Sequence, residues 1–590
     1  MSDVAILYRD NPSVADTRAG QLVQFVGLQS EFVDVGATAA LIHSLRATVA
    51  GCECLLVSME CLAQLCASMQ TNVGIETILG AGKSILIYGC LPTEPHNSMV
   101  RLLSSGMLKG VKRVESRPSE FRVKNDREFC RELAGISFSA AQKSLHCFEP
   151  AGLAAENLII SIDNDPFFVL ANYECSRVSL LAHDHFVDLN RTVERDYNLT
   201  SSFPDMVPLI MFLRNAMDER LWHSERARAC FVVDDPLLQE RYGFLEYAQL
   251  FSRMLPHKFS LSIAFIPWNH DRSDPEIMRF FPSGSPRGSL CIHGCDHTAG
   301  EFAVNNVILL SKKARLALER MGQHRARYGV SFDEVMVFPQ GLFSSEALEA
   351  LKSSGYLAAV NSDPHPSTAD SQLRLGDILD VAVMSFSDFP LFLRRYPKDI
   401  AEFALDLLLG RPAIVVEHHG YFRKGYGALE DFVEKLNALN DRLEWTNLGT
   451  ICSEACLTRT DRHGDVHVRF YTSHFHLRNS DSRSHDYVLY KRHTPGYPMP
   501  VITIDGSKVE AEEKDGYIIL RLSLDAGAAA HIQMPAAKDA SPDQYGQSVA
   551  DRTKTSTRRL LSEFRDNYVD TNPLLGGVLS HARKIRAWLN

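Results

Sequence analysis

The chain has 590 residues, a net charge of −10, 45% hydrophobic and 23% charged residues, an ordinary balance for a globular protein. It is too long for one core, and a pI near 6.1 excludes a broad nucleic-acid surface, which needs clustered Lys and Arg. Thirteen cysteines without a CxxC pair read as free thiols, Met1-Ser2-Asp3 opens no leader-like segment, and no run reaches the roughly 20 apolar residues of a membrane span. The expectation is a cytoplasmic chain with no membrane or nucleic-acid partner.

Apolar runs at Val4–Tyr8, Cys54–Val57 and Ser84–Tyr88 alternate with helical patterns at Thr17–Val26 and Glu60–Met69. Strands spaced by helices predict an open α/β sheet of the flavodoxin or amidotransferase type over residues 1–197, closed by strand-rich residues 158–190. Cys90 ends one of these strands. With no assignable His partner, it reads as a buried structural thiol rather than a nucleophile. Asn198–Pro204 reads as a linker, and Asp205 as the cap of a helix reaching Met217.

From Ala229 the rhythm changes. Strands are expected at Ala229–Asp235, Leu261–Pro267, Leu290–His293, Glu334–Pro339, Leu357–Asn361, Val381–Phe386 and Ala413–His419. Helices are expected at Tyr242–Leu255, Leu309–Tyr328 and Ser345–Ser354, the last capped by Ser344 and stopped by Gly355. About seven such units predict a (β/α)7–8 barrel over residues 205–457. Alternating strands at Val466–Phe470, Val501–Ile504 and Tyr517–Leu522, with a turn at Asp505-Gly506, predict a β-sandwich over residues 458–536. A helical tail follows over residues 553–590, broken at Pro573.

Three segments at barrel strand ends carry chemistry. Asp234-Asp235 is an acidic pair, costly unless a cation or proton compensates. His293-Gly294-Cys295-Asp296-His297 sets two imidazoles four residues apart, a spacing that suits a borderline metal ion, and Gly294 permits a sharp turn. The spacing alone is weak: among 22 histidines roughly one such pair arises by chance. A second pair, His463 and His467, reads as a solvated stripe on one strand face. Val416-Glu417-His418-His419 ends a later strand. Alternation sends His418 and His419 to opposite faces, so one of them points into the barrel. Pro267-Trp268-Asn269-His270 offers a wall on which a sugar could stack.

Taken in order, these motifs resemble those of the NodB-like polysaccharide deacetylase superfamily, which includes the family-four carbohydrate esterases, over about 230 of the 590 residues. The resemblance implies Asp234 as catalytic base and Asp235, His293 and His297 as ligands of a divalent ion, zinc by its donors. It implies Phe338-Pro339-Gln340-Gly341 as a third motif, with Pro339 and Gln340 beside Trp268 and Asn269 against a carbohydrate substrate. It also implies His418 or His419 as the acid. The implied activity is metal-assisted removal of an N- or O-acetyl group. Pro236 stands where the family usually has Gly, and Phe338 where it usually has the Arg that orients the base. Two other readings stay open. One is a glycoside hydrolase using Glu417 with Asp234. The other is a carbohydrate-binding scaffold that retains the metal triad without catalysis.

Overall fold

The computed structural model describes residues 2–36, 49–68, 78–80, 82–114, 118–141, 145–367, 372–535 and 548–572. Val4–Tyr8, Cys54–Ser58 and Ser84–Tyr88 are the expected strands, almost wholly buried, as apolar runs covered on both faces must be. They join Ser30–Asp34 and Ser176–Leu181 in parallel. The sheet then continues antiparallel through Asp165–Tyr173, Leu158–Ile162, Pro118–Val123 and Ser137–Ala141, nine strands in all. The anticipated linker is structured instead. A 3-10 turn, Leu199–Ser202, runs directly into the helix Phe203–Met217. Pro204 in its first turn lacks an N–H that would have no helical partner there. The Asp205 carboxylate is bound to His183 at 2.7 Å.

The second sheet positions the candidate site. Its parallel strands are β1 (Arg228–Asp234), β2 (Leu261–Phe265), β3 (Gly288–His293), β4 (Val335–Val337), β5 (Ala358–Asn361), β6 (Leu391–Leu393) and β7 (Ala413–His418). Their order is β6-β5-β4-β3-β2-β1-β7. Just beyond β6, Arg395 bridges Val415 in parallel, which brings the two edges together into a nearly closed ring. The expected strand at Val381–Phe386 is not formed. Val381, Ala382 and Met384 are buried as irregular chain within the ring, and β6 lies at Leu391–Leu393 instead. An apolar run alone cannot tell a strand from a buried loop.

Side chains sort by alternation. Cys230, Val232, Ala264, Cys291, Val335, Val337, Ala358, Val360, Phe392 and Ile414 fill the ring. The intervening Phe231, Val233, Ile263, Ile292, Met336 and Val415 join the outer cluster with the surrounding helices and the first sheet. Small inner residues suit the narrow interior of a ring of this size.

Beyond the barrel, two sheets, antiparallel except where Val466–Phe470 pairs His485–Arg492 in parallel, enclose their own core, built around Val468, Phe475, Leu489, Leu520 and Ile532. Asp505 and Gly506, both at positive φ, make the expected tight turn. The His463 and His467 stripe is corrected. His463 lies in the turn before the strand, and His467 is partly buried between Tyr490 and Asp461. A C-terminal helix, Val549–Phe564, continues through a π-helical turn to Val569, while Pro573 lies outside the described residues. All thirteen cysteines are unpaired. Among the described residues, no helix is long and apolar enough to cross a membrane.

Candidate active site at the barrel mouth

The inward parity that places Cys230 and Val232 in the ring carries on to Asp234. In the same way Cys291 leads to His293, Phe392 to Arg394, and Ile414 to His418. These four side chains therefore emerge in one layer at the carboxyl end of the sheet, where Asp234 and His418 are register partners. Arg394 grips Asp234 with both guanidinium nitrogens, at 2.6 and 2.7 Å. Burial pushes the Asp234 carboxyl up. The Arg394 charge, nearby His293 and the Arg394 hydrogen bonds outweigh that and bring it down to about 2. The His418 ring stands 3.9 Å from Asp234 and is 45% exposed, so one side of it faces the opening. His419 is turned away: it stacks on Phe244 and lies 3.7 Å from Asp566.

Asp235 and His297 sit above this layer, with His297 Nε2 3.8 Å from the Asp235 carboxylate. Both have left-handed backbones, φ 60° and 55°, as does Gln340 at 59°. For non-glycine residues such geometry costs about 1–3 kcal/mol and concentrates at functional sites. The rings of His293 and His297 are 4.9 Å apart. Burial holds both imidazoles neutral, His293 well below the usual range. The loop between them is shaped by Glu301, a residue the sequence reading did not single out. Its buried carboxylate accepts the backbone N–H groups of Cys295, Asp296 and His297 at 2.9, 3.1 and 3.1 Å. Gly294, at φ 65°, leaves the space that Glu301 and Pro339 occupy, where any Cβ would collide with both.

Other expected contact residues are placed differently from one another. Trp268 lies beneath the Arg320 guanidinium at 4.9 Å, and Arg320 in turn holds Asp296 at 2.6 Å, so the indole braces the His-Gly loop. Asn269 is fully buried, Pro339 is buried beside Gly294, and Gln340 is exposed at the rim. Glu417 pairs with Val233 and follows its outward parity, away from the layer of Asp234.

Two neutral imidazoles and a carboxylate are the donor types a borderline divalent ion takes. The buried Nδ1 of His293 has no hydrogen-bond partner among the described residues, as a group set to meet something else would be. Yet no set of three His, Cys, Asp or Glu side chains among the described residues is spaced to hold an ion. The donors stand as two neighbouring pairs, His293 with His297 and His297 with Asp235, so a closed triad is not preformed.

Arg394 is the main site residue missed from sequence. It follows directly on β6 and supplies the guanidinium that grips Asp234. Its signal was the alternating run Leu391-Phe392-Leu393-Arg394 after Pro390, hidden by the stronger apolar run at Val381.

No protein-family model matches the chain, and no curated protein matches it. Solved structures similar to parts of it include a Mycobacterium smegmatis protein described as a polysaccharide deacetylase. That match has 17% identity and a TM-score of 0.27, and covers 39% of this chain and 91% of the other. A family 4 carbohydrate esterase from Streptomyces lividans matches at 10% identity and TM-score 0.24, over 37% of this chain and 91% of the other. A cytoplasmic protein from Salmonella typhimurium matches at 12% identity and TM-score 0.23, over 31% and 88%.

Proposed function

We propose that the barrel mouth removes the acetyl group of an N- or O-acetylated carbohydrate, with a divalent ion, zinc by donor type, held by Asp235, His293 and His297. The observation that carries this reading is the single layer of Asp234, His293, Arg394 and His418, with Asp235 and His297 directly above it. When bound, such an ion supplies Lewis acidity toward the acyl carbonyl. Everything else falls to the chain. Arg394 keeps Asp234 ionised at every physiological pH and fixes its orientation. A carboxylate this acidic is a weak base, so its larger contribution is electrostatic. It lies 3.9 Å from His418, the group from which the departing amine or alkoxide takes its proton. Asp234 also accepts the proton of the attacking water.

Glycoside hydrolysis is the weaker reading. It needs two carboxylates facing one bond, whereas Glu417 points out of the ring and both oxygens of Asp234 are engaged by Arg394. A scaffold that binds without turnover is separated by assay. Acetate release from acetylated chitooligosaccharides and acetylxylan, before and after chelation and with zinc restored, tests the proposal. Release that survives chelation removes the ion from it. The absence of release from every acetylated substrate removes the activity.

A further inference from the structure

The C-terminal helix crosses the mouth of the barrel with its polar face inward. Thr555, Arg559 and Asp566 are buried, while Leu560, Leu561 and Phe564 lie 57–66% exposed. Polar bonds hold it down. Tyr242 donates to Asp566 at 2.6 Å, the Gly243 N–H donates to Asn567 at 2.7 Å, and Arg272 grips both oxygens of Glu563 at 2.7 and 2.8 Å. Arg559 is 97% buried on this face, near enough to His297 and Tyr242 for its charge to act on both. Its Nε and Nη2 have no hydrogen-bond partner among the described residues. Of the carboxylates nearby, Glu563 is engaged by Arg272, Asp566 by Tyr242 and Arg565, and Asp235 acts on the same His297 and Tyr242 as Arg559 does. Asn269 adds a second orphan. Its Oδ1 accepts from Arg272 at 3.2 Å, while its buried Nδ2 has no hydrogen-bond partner among the described residues.

Buried donors left unpaired cost free energy, and the planar fork of a guanidinium matches a carboxylate or phosphate. Both orphaned groups are donors; Arg272 joins Asn269 to the helix through Glu563, and the charge of Arg559 acts on His297. We infer that Arg559, with Asn269, forms an anion-recognition subsite roofing the barrel mouth, so that the molecule acted on there carries a carboxylate or phosphate. Turnover of that molecule rests on the proposed hydrolase; the anion subsite stands on the orphaned donors.

The test is calorimetric titration of the full chain with inorganic phosphate, with glucuronate and with N-acetylglucosamine as the neutral control. The expected result is that at least one anion binds at least ten-fold more tightly than the neutral sugar, and the tighter of the two names the group. Arg559→Gln should weaken that anion at least ten-fold, and Arg559→Lys, which keeps the charge but loses the fork, should fall between. Circular dichroism and melting of each variant confirm that the helix is retained. Equal binding of all three probes by the wild type overturns the inference, as does an Arg559→Gln protein that melts like the wild type and binds the anion equally well. Acetate release is measured in parallel. Anion binding lost on Arg559→Gln in a chain that releases no acetate sinks the hydrolase reading and leaves the subsite. Acetate release with no preference for anions does the reverse.

Discussion

At the scale of single residues the site turns on the Arg394–Asp234 pair. Both side chains are almost fully buried, so removing one partner leaves the other an uncompensated charge, a loss of about 3–5 kcal/mol. Arg394→Met should therefore lower unfolding stability by that order in denaturant titration, and a loss under 1 kcal/mol would refute the buried pairing. The same pair sets an acid limit. Asp234 is depressed to about 2 in the folded chain, below the roughly 3.9 of an unfolded Asp. Its contribution, about 2–3 kcal/mol, is present above pH 4 and is lost as pH falls toward 2. Asp234→Asn should flatten that part of the acid-unfolding curve. It should also cut acetate release by about 10²–10⁴-fold, and His418→Ala by a similar factor, while His419→Ala leaves the chemistry in place. Much of this was legible in sequence. The acidic pair, the two histidines and the strand that ends in His418 could all be read. Choosing His418 over His419 required knowing that Ile414 fills the ring, which depends on how the strands close. Arg394 was illegible because its strand is three residues long and follows a more hydrophobic loop.

At the scale of elements, the loop from His293 to His297 depends on one glycine and one acid. Gly294→Ala puts a methyl into Glu301 and Pro339 at a positive φ, and a destabilisation of about 1–3 kcal/mol is expected, measured by thermal melting. A melt indistinguishable from the wild type would show that the loop turns some other way. The C-terminal helix gives a second case. Tyr242→Phe removes the bond to Asp566 and should raise hydrogen exchange across residues 549–569 without affecting β1–β7. Unchanged exchange there would mean that Arg272–Glu563 and Gly243–Asn567 suffice to hold the helix. Sequence foresaw a helical tail but not its orientation. Hydrophobic periodicity would turn Leu560 and Phe564 inward, whereas hydrogen bonds and ion pairs over the mouth turn Arg559 inward. Apolar patterning cannot report a face chosen by polar partners.

For the whole molecule, apolar continuity matters more than the boundaries that sequence rhythm suggests. One buried cluster runs from Val4 in the first sheet, through Phe203–Met217, to the outer side of the barrel and Leu439, whereas the β-sandwich has a separate core. Asp3 adds a polar knot between distant segments. Its Oδ2 accepts from the Gln29 backbone, and its Oδ1 is met by Arg220 and by Arg462 from the sandwich. Apolar burial stabilises at about 25 cal/mol per Å², so a shared core couples its parts far more strongly than partly exposed ion pairs can. The sheet and barrel should therefore melt together and the sandwich separately. Calorimetry of the intact chain is expected to resolve two transitions, and Asp3→Asn should draw them apart by loosening the knot. An excised fragment of residues 205–457 should expose the apolar face that the first sheet now covers, and so bind a hydrophobic dye and aggregate. A soluble fragment melting at the temperature of the intact barrel would show instead that the barrel is self-sufficient and that the first sheet is an independent unit attached to it.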